Sequence, residues 1–270
     1  MTGAALLTAR RVTRDYVLPR EGLFAPPPVR RALAGADVDV AEGETVAVIG
    51  ESGSGKSTLI RILLGLDRAT SGQVWFDGRE VVPERAGRAR WLRRQTGIVL
   101  QDPYASLDPR RTVGQTISEP LRALDIPGDR RRQVAEVMDR VGLHRWRVDQ
   151  FPHELSGGQR QRVALARAIV HGPRLLIGDE PLSALDVTIR AQILELLQDL
   201  HRERGMGVVL VSHDIGLVQH FAERVYVMSN GHVVEHGDTS SVFAAPRDDY
   251  TRRLLDAIPS FPPTPAWARS

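Results

Sequence analysis

The sequence predicts a parallel α/β fold with helices on both faces of the sheet. Short apolar, β-branched runs alternate with helical patterns, and that alternation favours parallel pairing over hairpins. Thr45-Val46-Ala47-Val48-Ile49 is apolar or β-branched throughout, as suits a strand buried on both faces. With 270 residues, 42% of them apolar and 26% charged, the chain is long enough to bury a substantial core.

The elements follow in order. Residues 5–12 and 34–40 read as two short strands. The stretch 18–31 between them carries Pro26, Pro27 and Pro28 and reads as a loop. Thr45–Ile49 is followed by a helix over 58–64, a short strand over 73–76 and a strand over 97–100 that ends at Gln101. Prolines at 103, 109, 120, 127 and 152 then break the chain into short helical pieces, such as 131–141, which together suggest an inserted helical lobe. A helix over 159–170, a buried strand over 175–177, a helix over 188–203, a strand at Gly207–Val211, a helix over 216–221 and a strand over 225–228 complete the alternation. The tail from about 237 runs into Pro259, Pro262, Pro263 and Pro265 and is expected to fray.

Composition removes several classes of function. The chain has no cysteine, which excludes disulfides, thiol catalysis and cysteine-ligated zinc or iron–sulfur clusters. No apolar run approaches the roughly 18–20 residues that span a bilayer. The start lacks a secretory layout, so the chain is expected in the cytoplasm, with any membrane link through a partner. The net charge is only +3, and the dense arginines at 85–94 and 130–132 read as solvated helix faces. A surface meeting a partner or anionic head groups is the other reading of those arginines. Because the basic residues are not interleaved with aromatics, nucleic acid is not an expected partner.

Gly50-Glu51-Ser52-Gly53-Ser54-Gly55-Lys56-Ser57-Thr58 matches the phosphate-loop pattern G-x-x-x-x-G-K-[ST], with a strand before it and a helix after it. Gly53 and Gly55 let the backbone wrap a phosphate, Lys56 supplies a point charge, and the Ser57 hydroxyl suits Mg²⁺. In Leu155-Ser156-Gly157-Gly158-Gln159, a serine, two glycines and a glutamine precede a helix, giving a second phosphate-gripping element. Two such elements with one lysine-bearing loop suggest half-sites shared between two copies. Leu175 to Pro181 is an apolar strand ending in Asp179, suited to Mg²⁺, and Glu180, suited to take the proton of an attacking water. His213 follows a strand and suits contact with a terminal phosphate, while Gln101 ends another and suits contact with Mg²⁺ and water.

These motifs, with Ser183-Ala184-Leu185-Asp186, stand in the order of the ATP-binding cassette (ABC) transporter ATPases, which the chain resembles from about residue 5 to 237. The resemblance implies a P-loop NTPase with a RecA-like parallel-sheet core, a small antiparallel β-subdomain and an inserted α-helical subdomain at about 102–158. It implies an ATPase domain over 1–236 and a C-terminal extension over 237–270, with ATP and Mg²⁺ as ligands. By the same resemblance Ser156 and Gly158, within 155–159, contact the γ-phosphate held by an opposite subunit, and Asp186 lies across that interface. Tyr16 is similar to the aromatic that stacks on adenine; a core tyrosine is the other reading. At Gly178 many relatives carry a bulkier residue, with no loss of chemistry expected here.

The segment from Gln101 to Arg110 and the tail from Asp249 to Pro259 resemble importer ATPases for dipeptides, oligopeptides and nickel. Some members of that group bind an iron–sulfur cluster in the extension through cysteines; this chain has none, so that feature does not carry over. The implied function is ATP hydrolysis coupled to peptide uptake. Nickel or another small solute is the alternative cargo, and an exporter is less favoured. A DNA-repair ATPase is disfavoured because the interval from Gln101 to Ser156 is too short for a coiled coil. The implied partners are a second ATPase subunit, two membrane-spanning permease subunits and, through them, an extracytoplasmic substrate-binding protein. The implied location is the cytoplasmic face of the membrane.

Overall fold

The computed structural model describes residues 5–20, 26–84, 88–100, 106–182, 185 and 187–257. Two of the sequence-derived site residues, Gln101 and Asp186, lie outside this set, as does the proline-rich tail from 258.

Two sheets form the frame. The first has four strands in the order β2-β1-β4-β5: β1 Ala5–Val17, β2 Val29–Ala41, β4 Ser71–Phe76 and β5 Arg79–Glu80. All of its pairings are antiparallel. The second has six strands in the order β10-β9-β3-β8-β7-β6: β3 Thr45–Ile49, β6 Thr96–Val99, β7 Leu175–Asp179, β8 Gly207–Val211, β9 Arg224–Ser229 and β10 His232–Asp238. Five of these run parallel, and β10 adds an antiparallel edge.

The helices are α1 Lys56–Leu63, α2 Arg90–Gln95, α3 Val113–Ala123, α4 Arg130–Arg140, α5 Gly157–Ile169, α6 Val187–Arg204, α7 Ile215–Phe221, α8 Thr239–Ala244 and α9 Asp249–Asp256. Every residue of β3, β7 and β8 is buried, and alternate side chains enter opposite layers. Val46, Val48, Ile177 and Val209 pack with the small sheet and α1. Ala47 and Ile49 pack with α7 and α8. Leu176, Val208 and Leu210 join the layer of α5, α6 and the helical lobe. The period-two alternation of a strand thus serves two cores at once.

Several expectations need correction. The first two strands are longer than predicted, and residues 29–31, read as loop, pair with Val17, Tyr16 and Asp15. The Arg31 guanidinium holds Asp15 at 2.8 Å and pulls that carboxyl below its ordinary range.

Pro120 does not break the lobe but sits inside α3. Its missing N–H costs the helix one bond. The helix is kept by its Thr112–Gln115 capping box and by the complete burial of Ile117 and Leu121.

The dense arginines of 85–94 include structural pins. Arg90 donates to the carbonyl of Ala123 at 2.7 Å, and Arg94 Nε donates to that of Leu124 at 2.8 Å, so α2 grips the carboxyl end of α3. Arg130, Arg131 and Arg132 are exposed as expected.

The tail does not begin to fray at 237. The chain continues through β10 to Asp238 and then through α8 and α9 to Asp256, so the boundary drawn at 236/237 falls within a strand. Phe243, Leu254 and Leu255 pack against the core beside Val225 and Val227.

Glu235 on β10 accepts the N–H groups of Arg247 at 2.9 Å and Asp248 at 3.1 Å, which anchors the entry to α9. Burial pushes the Glu235 carboxyl up, and the Arg247 N–H, the Thr251 hydroxyl, the Asp248 N–H and the charge of Arg247 together more than offset it, leaving the group below its ordinary value. Its stabilisation is present above the unfolded value of about 4.5 and is lost as the pH falls through the lower folded value. Glu235→Gln should therefore lower the melting temperature at pH 7, and the difference from wild type should shrink as the pH falls below about 4.5 in a thermal-melt series.

Candidate nucleotide site

The carboxyl ends of three neighbouring strands carry the candidate groups, where an open α/β sheet places its ligands. β3 feeds the phosphate loop, β7 ends at Asp179, and β8 leads to His213, with β8 lying between the other two. Backbone bonds fix these ends to each other. Glu180 N–H donates to Val211 O at 3.1 Å and Ser212 N–H to Val48 O at 3.3 Å.

Lys56 is buried as the first residue of α1. Its Nζ donates to the carbonyls of Gly50 and Glu51, each at 2.7 Å. Burial pushes the ammonium below its ordinary value, while Glu180, Asp179 and Glu51 act in the opposite sense. The opposing carboxylates place Asp179 and Glu180 within electrostatic reach of the loop.

The loop glycines have different reasons. A side chain at Gly50 would overlap the carbonyl oxygen of Met228, and one at Gly55 would lie 2.5 Å from that of Ala32. Gly55 is therefore required by packing against the small sheet as well as by its φ of 103°. Gly53 is also left-handed, but its nearest neighbour is the Arg30 guanidinium at 4.0 Å, so its surroundings are open. Ser52 and Ser57 are exposed, Thr58 is half-buried, and Ser54 is buried with its hydroxyl 3.4 Å from Lys56 Nζ.

Glu180 has a φ of 50°, in a left-handed region that costs a non-glycine residue about 1 kcal/mol. Its carboxylate lies 3.5 Å from His213 Nδ1, and the His213 side chain is 67% exposed. Gly178 is closed off by Pro181, whose Cγ would be 2.6 Å from an added Cβ, so a bulkier residue does not fit beneath this turn.

The segment 155–159 builds its own helix end. Ser156 Oγ accepts from Gln159 N–H at 3.3 Å, and the Gln159 side chain accepts from Ser156 N–H at 3.0 Å. Ser156 and Gly157 are exposed, and a Cβ at Gly157 would meet nothing within 4 Å. The fold itself makes no demand for glycine there. Among the described residues, no hydrogen bond joins this segment to the phosphate loop. Tyr16 is half-buried rather than a core tyrosine; its hydroxyl donates to Asp67 at 2.7 Å and the Arg14 guanidinium lies 4.4 Å from its ring centre.

Three further residues reach the site without a motif to reveal them. Arg30 sits directly across the strand from Tyr16 and beside Gly53. Tyr250 on α9 accepts the N–H of Glu51 at 2.8 Å. Arg190 on α6 pairs with Asp214 at 2.7 Å and donates to Leu185 O at 3.4 Å, tying the turn after β7 to the His213 loop. A cavity of about 200 Å³ lies between Glu180, His213 and this arginine.

A buried lysine in a glycine loop, opposed by two carboxylates at the end of a parallel sheet, defines a phosphate-loop nucleotide-binding protein. The comparisons narrow this class. The family profile described as ABC transporter matches residues 33–183. The dipeptide transport ATP-binding protein DppF of Escherichia coli (strain K12) is 42% identical over 260 residues, covering 96% of this chain and 78% of that protein. The oligopeptide transport ATP-binding protein OppF of the same organism is 43% identical, covering 89% and 73%. A dimeric cassette, MJ0796, in a post-hydrolysis state bound to ADP and Pi, superposes with a TM-score of 0.78 at 31% identity, covering 86% of this chain and 98% of its own. The chain belongs to the ABC transporter family, as an ATPase cassette with the expected P-loop NTPase fold.

Arg190→Ala should lower steady-state ATP turnover about tenfold through misplacement of the His213 loop, with KM changed less than about twofold.

Proposed function

We propose that this chain is the ATP-hydrolysing subunit of an importer that takes up peptides across the cell membrane. The observation that carries the ATPase reading is the convergence of Lys56, Asp179, Glu180 and His213 on the ends of three adjacent strands. The peptide cargo rests on the identity to dipeptide and oligopeptide transport proteins along nearly the whole chain.

The phosphate loop grips ATP through its backbone N–H groups and Lys56, and Tyr16 stacks on the base. The Ser57 hydroxyl and the Asp179 carboxylate are hard oxygen donors, the kind Mg²⁺ takes, and Gln101 completes the set. The ion supplies charge neutralisation on the phosphates when bound. Glu180 takes the proton of the attacking water, and His213, held beside it, orients that water.

Ser156, Gly157, Gly158 and Gln159 complete the site of a second cassette, with Asp186 at the shared interface. The exposure of Gly157 and the open space around it support a ligand arriving from another subunit. The α5 dipole, aimed outward at that end, favours an anion there. The dimeric ADP-bound relative supports the same arrangement.

A groove of about 320 Å³ between the core and the lobe, lined by Leu64, Leu66, Ile98, Pro120, Ala123 and Leu124, suits an apolar helix of a permease subunit. Leu66 is 52% exposed there. Two permease subunits would hold the pair of cassettes at the cytoplasmic face and connect them to a substrate-binding protein outside. Among the described residues no helix is long and apolar enough to cross a membrane, so attachment would come from such partners.

Glu180→Gln should bind ATP yet turn it over about 10²–10⁴-fold more slowly, since the proton acceptor is lost. With ATP it should elute as a dimer on size exclusion. Adding Ser156→Arg should abolish that dimer while each chain still binds nucleotide. Wild-type turnover in Glu180→Gln would remove Glu180 from this role, and a persisting dimer in the double variant would remove Ser156 from the shared site.

A further inference from the structure

We propose that the C-terminal helix α9 is a working part of the nucleotide site: Tyr250 sets the peptide plane between Gly50 and Glu51, and through it the Lys56 ammonium. The inference rests on the phosphate loop being the ATP site.

The geometry is a relay through a single amide. Glu51 N–H donates to the Tyr250 hydroxyl oxygen at 2.8 Å, and the Gly50 carbonyl accepts from Lys56 Nζ at 2.7 Å. That N–H and that carbonyl belong to the same peptide unit, which is planar and stiff. Rotating the amide to suit one partner therefore moves it for the other. The two bonds also reinforce each other, because a cation on the carbonyl polarises the amide and strengthens its N–H as a donor.

The amide has little freedom to find another position. Gly50 is jammed against Met228 O, where a Cβ would overlap the oxygen. Glu51, beyond it, is exposed and lacks comparable packing. What holds the exposed side of the unit is the phenol.

The phenol in turn is held from several directions. Its own backbone N–H donates to the Asp248 cap at 2.8 Å, and Glu235 holds the two N–H groups just before the helix. Like Leu254 and Leu255, Tyr250 packs against the layer that contains Val227 of β9. Burial also pushes the phenol above its ordinary value, with Arg253 and the Glu51 N–H acting against it, so it stays neutral near pH 7. A residue 199 positions from Glu51 thereby orients the lysine of the loop.

Two roles must be separated. Tyr250 either positions Lys56 or merely fastens the extension to the core. Tyr250→Phe keeps the ring and its packing and removes only the hydroxyl. A double-mutant cycle with Lys56→Ala on the full chain distinguishes the roles, read as ATP displacing trinitrophenyl-ATP, with thermal melts to verify folding.

Loss of one neutral hydrogen bond should weaken ATP binding about fivefold in the wild-type background. In the Lys56→Ala background the same substitution should change affinity by less than about 1.5-fold, since no ammonium is left to position. An equal factor in both backgrounds, or unchanged affinity in Tyr250→Phe alone, overturns the proposal. Failure of the wild-type chain to bind ATP would instead overturn the reading of the loop on which it rests.

Discussion

Three glycines bring backbone against backbone around the phosphate loop. A Cβ at Gly50 would overlap Met228 O, one at Gly55 would lie 2.5 Å from Ala32 O, and one at Gly231 would lie 2.9 Å from the same oxygen. Gly231 N–H donates to Ser54 O at 3.0 Å, and Ala34 N–H donates to Gly231 O at 2.8 Å. The loop is thereby clamped between β2 of the small sheet and the β9–β10 turn of the large one. Hydrophobic packing is non-directional and does not set such a separation by itself. The absence of side chains lets the hydrogen bonds form, and they fix where the loop sits relative to both sheets. The two sheets are further tied by Arg174, which pairs with Asp77 at 2.7 Å and with Glu42.

On this clamp rests the electrostatics of the site. Lys56 stays buried because carbonyl oxygens of its own loop replace water, and because the carboxylates at the end of β7 offset part of the desolvation. The strained backbone at Glu180 sits where two strand ends are bonded together, so the surrounding ladder over-determines it. The His213 loop is closed by Asp214, which caps α7 and accepts from Arg190. None of these groups is placed by a flexible loop alone, and such preorganisation is what electrostatic catalysis requires.

The helical lobe is joined to this machinery through polar bonds as well as apolar ones. Arg162 on α5, nearly buried, donates to the carbonyls of Val141 at 3.0 Å and Gly142 at 2.9 Å. Gln161, one residue earlier, donates to the carbonyl of Pro181, next to Glu180. The helix that begins at Ser156 is thus bonded both to the lobe and to the turn carrying the proposed base. A single helix therefore links the lobe to the geometry at Glu180.

The sequence by itself determined the parallel core, the phosphate loop, the paired acids at the end of β7 and the helix opening at Ser156. Those features are contiguous: a buried strand is a run of apolar residues, and a phosphate grip is a few glycines before a helix, so short windows contain the whole signal. The tertiary structure alone decided why Gly178 must be small, why α3 tolerates Pro120, why Arg90 and Arg94 are pins rather than a solvated face, and that the tail folds back through α8 and α9. It also decided that Tyr250 and Arg190 meet the site. Each of these depends on a partner far along the chain, such as the 199 residues between Tyr250 and Glu51. Local propensity contains no term for a distant carbonyl or carboxylate, and only packing brings the two together.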